Sequence, residues 1–174
     1  MVTYDEFSLG LLILRVVIGV TLAAHGYNKF FMGGRIPGTA RWFDSIGMKP
    51  GKVHALAAAT TEMGAGLLFA AGFLTSFAAA GMVSLMLVAA WTVHRFNGFF
   101  IVKTGWEYNL ILAVVGIGVA TTGPGRFSID HLIHDPGILP GYAGLIIAAV
   151  GGLVAGAFHL GVFFRPPAPE PEQA

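Results

Sequence analysis

The amino-acid sequence predicts an all-α membrane protein, a bundle of four or five hydrophobic helices with almost no soluble domain. Of its 174 residues, 55% are hydrophobic and only 11% are charged, whereas a soluble domain has about 25% charged residues. The 25 glycines fall inside apolar runs, where glycine lets membrane helices pack closely. These observations favour one helical bundle surrounded by lipid.

Five apolar runs supply the candidate helices, since a bilayer core about 30 Å thick takes roughly 20 helical residues. The predicted helices are Leu9 to about Phe31, about His54 to Leu74, Thr75 to about His94, about Tyr108 to Thr122, and Tyr142 to Phe164. The second and third meet at the hairpin sequence AAGFLTS, and the fourth is short for a full span and ends in TTGPGR. The tail RPPAPEPEQA cannot continue a helix and is predicted to be disordered.

Composition also excludes several classes of function. The net charge of +1, without a block of like charges, gives no electrostatic footprint for nucleic acid. Because the chain has no cysteine, it has no disulfide, thiolate nucleophile or cysteine-ligated cluster. The acidic start MVTYDEFSLG lacks the basic region of a removable signal peptide, so the first helix is expected to stay in the mature protein.

The basic residues predict an orientation in the cell membrane, because cytoplasmic loops carry an excess of lysine and arginine. With five spans, one side of this multi-pass protein carries Lys29, Arg35, Arg41, Lys49, Lys52, Arg95, Lys103 and Arg165. The other side has only Arg126 outside the helices. The N-terminus is therefore expected outside and the C-terminus in the cytoplasm; without a fifth span, the tail returns to the outside. The stretch TARWFDSIG is predicted to form a short interfacial helix, with Trp42 and Phe43 dipping into lipid.

Ionisable groups at membrane depth are costly and need a functional or structural reason. Glu62 lies roughly 12 Å along the second helix, and His25 lies roughly 9 Å before the end of the first. Because the two helices are antiparallel, both groups fall in the same half of the membrane. Lys29 follows His25 by one turn and shares its face, which makes Glu62 its expected counter-ion.

Other polar residues are expected at the same level, where Trp91 and His94 close the third helix and Glu107 and Asn109 open the fourth. The predicted cofactor site consists of His25, Lys29, Glu62, Trp91, His94 and Asn109. Such a ring suits a quinone headgroup, either menaquinone or ubiquinone, because its carbonyl oxygens need donors and its ring stacks on aromatic side chains. No covalent cofactor and no resident metal are expected.

Two alternatives remain open for these residues. In the first, Glu62 and Lys29 form a purely structural pair, while His25 and His94 cap backbone carbonyls. In the second, His25 and His94 on facing helices hold a haem.

The remaining polar groups favour structural interpretations. Arg15 is expected either to extend to the lipid headgroups or to pair with Asp130. The segment IDHLIHDP contains metal-ligand residue types but no third fixed ligand. His159 is expected to be a buried hydrogen-bonding group. In the fifth helix, Ala148, Gly152 and Gly156 share one face, which packs either within the chain or against a partner.

Three stretches together resemble the DoxX family of small bacterial membrane proteins: LRVVIGVTLAAHGYNKFF, TTEMGAGLLFAAGFLTSFAAAGMVSLML and GPGRFSIDHL. The resemblance spans roughly Leu9 to Leu132. The matching positions are His25, Gly26 and Lys29, then Glu62, Gly64 and Gly66, then Gly125, Ser128 and Asp130. It implies a DoxX-like transmembrane bundle at 1–132. The linker and additional transmembrane helix predicted at 133–164 go beyond the four-helix pattern of the family, and the Pro-rich composition predicts a disordered tail at 165–174.

The resemblance also implies a function. Family members are four-helix proteins associated with quinone-linked systems, such as thiosulfate:quinone oxidoreductase, whose small subunit this chain resembles, and with membrane complexes for oxidative stress. The leading hypothesis is a membrane subunit or accessory protein of such a system, with other membrane redox proteins as partners and homo-oligomers as a further option. The alternative is a noncatalytic assembly subunit whose fifth helix docks a larger complex.

Overall fold

The computed structural model describes residues 2–134 and 137–167, which form helices joined by short loops. Residues 168–174 of the predicted tail, and Asp135 of the IDHLIHDP segment, lie outside the described residues. Within the described ranges there is no β-strand, and Met48 and Phe164 form an isolated bridge. The helices are α1 (Tyr4–Phe31), α2 (Arg35–Ser45), α3 (Gly51–Ala71), α4 (Thr75–Asn97), α5 (Glu107–Thr122), α6 (Ile129–Ile133) and α7 (Tyr142–Phe163).

The long apolar helices confirm the predicted all-α membrane bundle. Within the described residues, four helices are long and apolar enough to cross a membrane: α1, α3, α4 and α7. Helix α5 is apolar but has only 16 residues, as its sequence predicted. Both α4 and α7 contain a π-helical segment, at Ala90–His94 and Ile146–Gly151.

Local backbone chemistry moves two helix ends away from their predicted positions. Helix α1 begins at Tyr4 rather than Leu9, because Thr3 and Glu6 form a reciprocal capping box at its N-terminus. Helix α3 ends at Ala71 rather than Leu74, because Gly72 adopts a left-handed conformation with φ of 65°. The capping box therefore fixes the start of α1 and Gly72 fixes the end of α3, whereas hydropathy alone misplaces both ends by a few residues.

Small residues set the packing of the bundle. Helix α1 lies directly on α3, where Gly19 and Gly26 leave room for the α3 backbone and Gly66 leaves room for the α1 backbone. Helix α4 is central and packs against α3, α5 and α7. The small-residue face of α7 lies against α4: Ala148 is fully buried, and Gly152 is close to the carbonyl oxygen of Ala80. That face is occupied within the chain, so the interpretation of it as a docking face for a partner is wrong.

Contacts at the two ends of the bundle show that α7 crosses it. At one end, Arg165 N donates to Gly47 O in the loop between α2 and α3. At the other end, Gly141 N, directly before α7, donates to Thr121 O near the C-terminus of α5, and Arg126 N donates to Ser8 Oγ. We call the first the basic end, because the segment between α1 and α3, with Arg35, Arg41, Lys49 and Lys52, and the C-terminus of α7, with Arg165, meet there. The N-terminus of α1 and the C-terminus of α7 therefore lie at opposite ends.

The short helix α2 confirms the helix predicted around TARWFDSIG, but only one of its aromatic side chains faces outwards. Trp42 is 43% exposed, whereas Phe43 is buried against His54 and Ala55 of α3. Phe43 therefore packs in the bundle and does not dip into lipid as predicted, because α2 presents that face to α3.

Arg15 is fully buried and does not extend to the headgroups. Its guanidinium donates to the carbonyl oxygens of Ala70 and Phe127, at 3.2 and 2.6 Å. Asp130 interacts with it electrostatically, but among the described residues the two form no direct ion pair. The carboxylate is instead used to cap α4, accepting from Leu74 N, Thr75 N and Thr75 Oγ1 at 2.7 to 2.9 Å.

We expect Asp130→Ala to destabilise the protein by several kcal/mol, because it removes three hydrogen bonds to a charged group and each contributes about 1.5–3 kcal/mol. The measurement is thermal unfolding of the purified protein in mild detergent. Asp5→Ala is the matched control, since the Asp5–Arg126 ion pair is 2.8 Å long but more than half exposed on both sides. Equal shifts in the melting temperature for the two variants would contradict the capping role of Asp130.

Candidate functional site

A cavity of about 530 Å³ lies in the half of the bundle nearest the basic end. Its size is within the range of about 300–1,000 Å³ typical of small-molecule sites. Residues from α1 to α5 and from α7 line it, and most of its wall is apolar. The ionisable and amide side chains in the wall are His25, Lys29, His54, Glu62, His94, Tyr108, Asn109 and His159.

The Lys29–Glu62 pair forms one wall of this cavity. Lys29 Nζ donates to both carboxylate oxygens of Glu62, at 2.7 and 2.6 Å. The side chain of Glu62 is 10% exposed and that of Lys29 is 21% exposed. The close packing of α1 on α3 at Gly26, one turn before Lys29, holds the two side chains together. The expected pairing of these residues is present in the structure.

His25 lines the cavity beside this pair. Its ring lies 6.4 Å from the ring of Tyr108, centroid to centroid. In the part of the chain that the structure describes, the side chain of His25 forms no hydrogen bond, and it is exposed. Both ring nitrogens of His25 are therefore available to a ligand.

His94 and Asn109 also line the cavity, as the sequence predicted for the ends of α4 and α5. His94 Nδ1 lies 2.6 Å from the carbonyl oxygen of Thr104, which can only accept, so Nδ1 carries the proton. In the neutral ring Nε2 therefore carries no hydrogen and can act only as a hydrogen-bond acceptor. Asn109 is buried, and its amide lies 3.6 Å from Met86 Sδ, a weak contact that leaves its donor capacity largely free.

Trp91 and Glu107 are not brought to the cavity, although the sequence placed both at the right level. The Trp91 ring is 47% exposed and lies under the Arg95 guanidinium, 4.3 Å from ring centroid to carbon. Glu107 accepts a hydrogen bond from Ile101 N at 2.9 Å and so orders the preceding loop. Both side chains point away because helix rotation, rather than depth, decides which residues face a cavity.

Two histidines that sequence analysis did not assign to the site lie in the same wall. His54 Nδ1 and His159 Nε2 are 3.1 Å apart, joining α3 to α7. The expectation of a hydrogen-bonding role for His159 agrees with this contact. The sequence signal was a histidine at membrane depth in the fifth helix, one turn before Phe163. Its partner could not be identified without knowing how α7 packs.

Metal-ligand residue types do not converge in the described part of the chain. Within residues 2–134 and 137–167, no group of three or more histidine, aspartate or glutamate side chains is placed to hold a metal ion. His131 lies in α6, at the end of the bundle opposite the cavity. The cavity chemistry in the described residues therefore consists of one ion pair, several imidazoles, one phenol and one amide.

Comparison with known proteins agrees with this architecture. Residues 10–95 match the family model described as DoxX. A Bacillus subtilis (strain 168) protein named "Putative oxidoreductase CatD" is 29% identical over 128 residues, which cover 74% of this chain and 90% of that protein. The Escherichia coli (strain K12) inner membrane protein YqjF is 27% identical over 127 residues, covering 73% of this chain and 94% of that protein.

No solved structure matches this chain significantly. The DoxX match runs from the second half-dozen residues of α1 to the last turn of α4, and therefore includes the Lys29–Glu62 pair. Helix α7, which supplies His159, lies outside the matched range. This multi-pass membrane protein therefore contains a DoxX domain at residues 10–95, and its relatives are DoxX-type membrane proteins.

Proposed function

We propose that this protein is a membrane subunit or accessory protein of a quinone-linked oxidoreductase system, respiratory or for oxidative stress, and binds a quinone headgroup in its cavity. The observation that carries the proposal is the Lys29–Glu62 pair in the wall of a mostly apolar cavity of about 530 Å³. Small-molecule sites combine an apolar lining with a few placed polar groups in this way.

The side chains in the cavity fit a quinone ring. Lys29 and Asn109 offer N–H donors to a carbonyl oxygen, and His25 has free ring nitrogens. Leu22, Met86 and Leu112 supply apolar contact for the ring faces. When bound, the quinone would supply the redox chemistry that a chain without cysteine lacks. Glu62 would hold or release a proton beside the ring oxygen.

A second, smaller groove supports a ligand with a long apolar tail. This groove has a volume of about 150 Å³ and shares Met86 and Asn109 with the main cavity. Its remaining lining is apolar and includes Leu110 and Leu153, which are 43% and 49% exposed on the outer surface of the helices. An isoprenoid tail that leaves the cavity past Met86 would therefore reach lipid between α4, α5 and α7.

The proposed orientation places the cavity in the cytoplasmic half of the membrane. The loop between α1 and α3, which carries Arg35, Arg41, Lys49 and Lys52, lies at the basic end. Arg165 lies there too. Lysine and arginine favour the cytoplasmic side, which would put the N-terminus outside. The name of the Bacillus subtilis relative includes "oxidoreductase", which supports a redox role without specifying the electron donor.

The first test is the quinone content of the protein purified in mild detergent, determined by lipid extraction and chromatography. We expect wild type to retain quinone and His25→Ala to retain several-fold less, because a donor beside the ring is lost. Asn28→Ala is the control, since Asn28 is an exposed polar residue of α1 that does not line the cavity. Absence of quinone from wild type, or equal content in all three proteins, would reject the proposal.

A further inference from the structure

We propose that His54, positioned by His159, hydrogen-bonds the second oxygen of the bound ring, at the opposite pole of the cavity from Lys29 and Glu62. This inference rests on the proposed function and extends it, because it defines the ligand as a ring with two opposed oxygens. It also assigns a positioning role at the site to α7, which lies outside the matched domain.

The first observation is an unsatisfied atom. His54 is 2% exposed, and its Nε2 is buried without a hydrogen-bond partner, although the residue lines the cavity. Most buried polar atoms in folded proteins are hydrogen-bonded, because leaving one unpaired is costly. A ligand atom in the cavity would supply the missing partner.

The second observation is that the ring of His54 is held in place. His159 Nε2 lies 3.1 Å from His54 Nδ1, and the two rings are nearly perpendicular at 87°. Phe163 packs edge-on against His54 at 4.9 Å, centroid to centroid, and Phe43 lies 6.2 Å away. These contacts restrict rotation of the imidazole.

The hydrogen bond between the two imidazoles links the tautomer of His54 to the ligand. A neutral imidazole has one donor and one acceptor nitrogen. When His159 Nε2 donates to His54 Nδ1, the proton of His54 is on Nε2 and can be donated to a carbonyl oxygen. With both tautomers reversed, His54 Nε2 becomes an acceptor, which suits the hydroxyl of a reduced ring. The pair can therefore serve both the quinone and the quinol.

The separation of the two poles fits a ring with an oxygen at each end. His54 and Glu62 both belong to α3 and are eight residues apart, which corresponds to roughly 12 Å along the helix axis. A six-membered ring with opposed oxygens, extended by a hydrogen bond of about 3 Å at each end, spans a distance of this order. The wall between the poles includes Ala57, Ala58 and Leu85, which suit the flat faces of such a ring.

The test uses the full-length protein in mild detergent, titrated with decylubiquinone and followed by quenching of tryptophan fluorescence. We expect His54→Phe to weaken binding about three- to tenfold, the range for one lost hydrogen bond. His54→Gln keeps a hydrogen-bond donor, so its affinity for decylubiquinone should lie between those of wild type and His54→Phe. His134→Phe is the control, because His134 is exposed and follows α6 at the other end of the bundle.

Infrared spectra of the bound quinone, labelled with ¹³C at one carbonyl at a time, separate a hydrogen bond from a packing effect. In wild type both carbonyl stretches should lie below their frequencies in detergent alone, and His54→Phe should return one of them to the free value. If His54→Phe does not fold, the same comparison with His54→Gln decides, through an altered frequency of that one carbonyl.

The outcomes distinguish the inference from the proposed function. If wild type binds no decylubiquinone, both are rejected. If wild type binds it and Lys29→Met weakens binding, but the His54 variants bind as wild type with both carbonyl bands still shifted, only the role of His54 is rejected.

Discussion

Replacing Lys29 and Glu62 together, as Lys29→Met with Glu62→Leu, should restore the stability lost in either single variant but should not restore quinone binding. Each single substitution leaves one largely buried charge without its partner, which typically costs about 3–5 kcal/mol. Replacing both residues by apolar side chains of similar size removes the two desolvation penalties together, so the double variant should unfold near the wild-type temperature.

The same double variant separates the two interpretations of this ion pair. If the pair only holds α1 against α3, the double variant should keep the wild-type quinone content, because apolar packing replaces the ion pair. If the pair binds the headgroup, quinone should be lost while thermal stability is retained. The measurements are the melting temperature in detergent and the quinone extracted from the same preparation. Quinone content equal to wild type in a stable double variant would contradict the proposed role of the pair.

Gly66→Leu should separate α1 from α3 and destabilise the bundle by several kcal/mol, whereas Gly64→Leu should have little effect. A Cβ at Gly66 would lie 2.6 Å from Ala23 N, which is backbone that cannot move aside without shifting α1. Overpacking of a close interface typically costs about 1–3 kcal/mol and more where the backbone must move. A Cβ at Gly64 meets nothing within 4 Å.

These two glycines form a matched pair, because both lie in α3 and receive the same larger side chain. We also expect Gly66→Leu to reduce quinone content, since the displacement of α1 pulls Lys29 away from Glu62. Helicity by circular dichroism, melting temperature and quinone content are measured on both variants. If both substitutions lower the stability equally, contact with α1 is not the reason that a large side chain is unfavourable at position 66.

Much of the fold was predicted from the sequence. Among the described residues, the apolar runs located the four long helices and the short α5; α1 begins five residues before its predicted start, and both ends of α3 lie three residues earlier than predicted. The pairing of Lys29 with Glu62 was also predicted, because two opposite charges at one depth on adjacent antiparallel helices each lower the cost of burying the other.

The expectations that failed depended on the rotation of a helix about its axis. Trp91 and Glu107 lie at the predicted depth but face away from the cavity. Of the two alternatives left open for the small-residue face of α7, packing within the chain is the one observed, because that face lies against α4. The His54–His159 contact joins residues 105 positions apart, and no local pattern relates them.

The sequence by itself determined which segments enter the membrane and where charge is buried, because the free energy of moving a side chain into lipid belongs largely to that side chain. The tertiary structure alone decided which residues share the cavity. It distinguished Gly66 from Gly64, and it brought His54 to His159. Those choices follow from how each helix is turned against its neighbours, which close packing between helices distant in sequence sets.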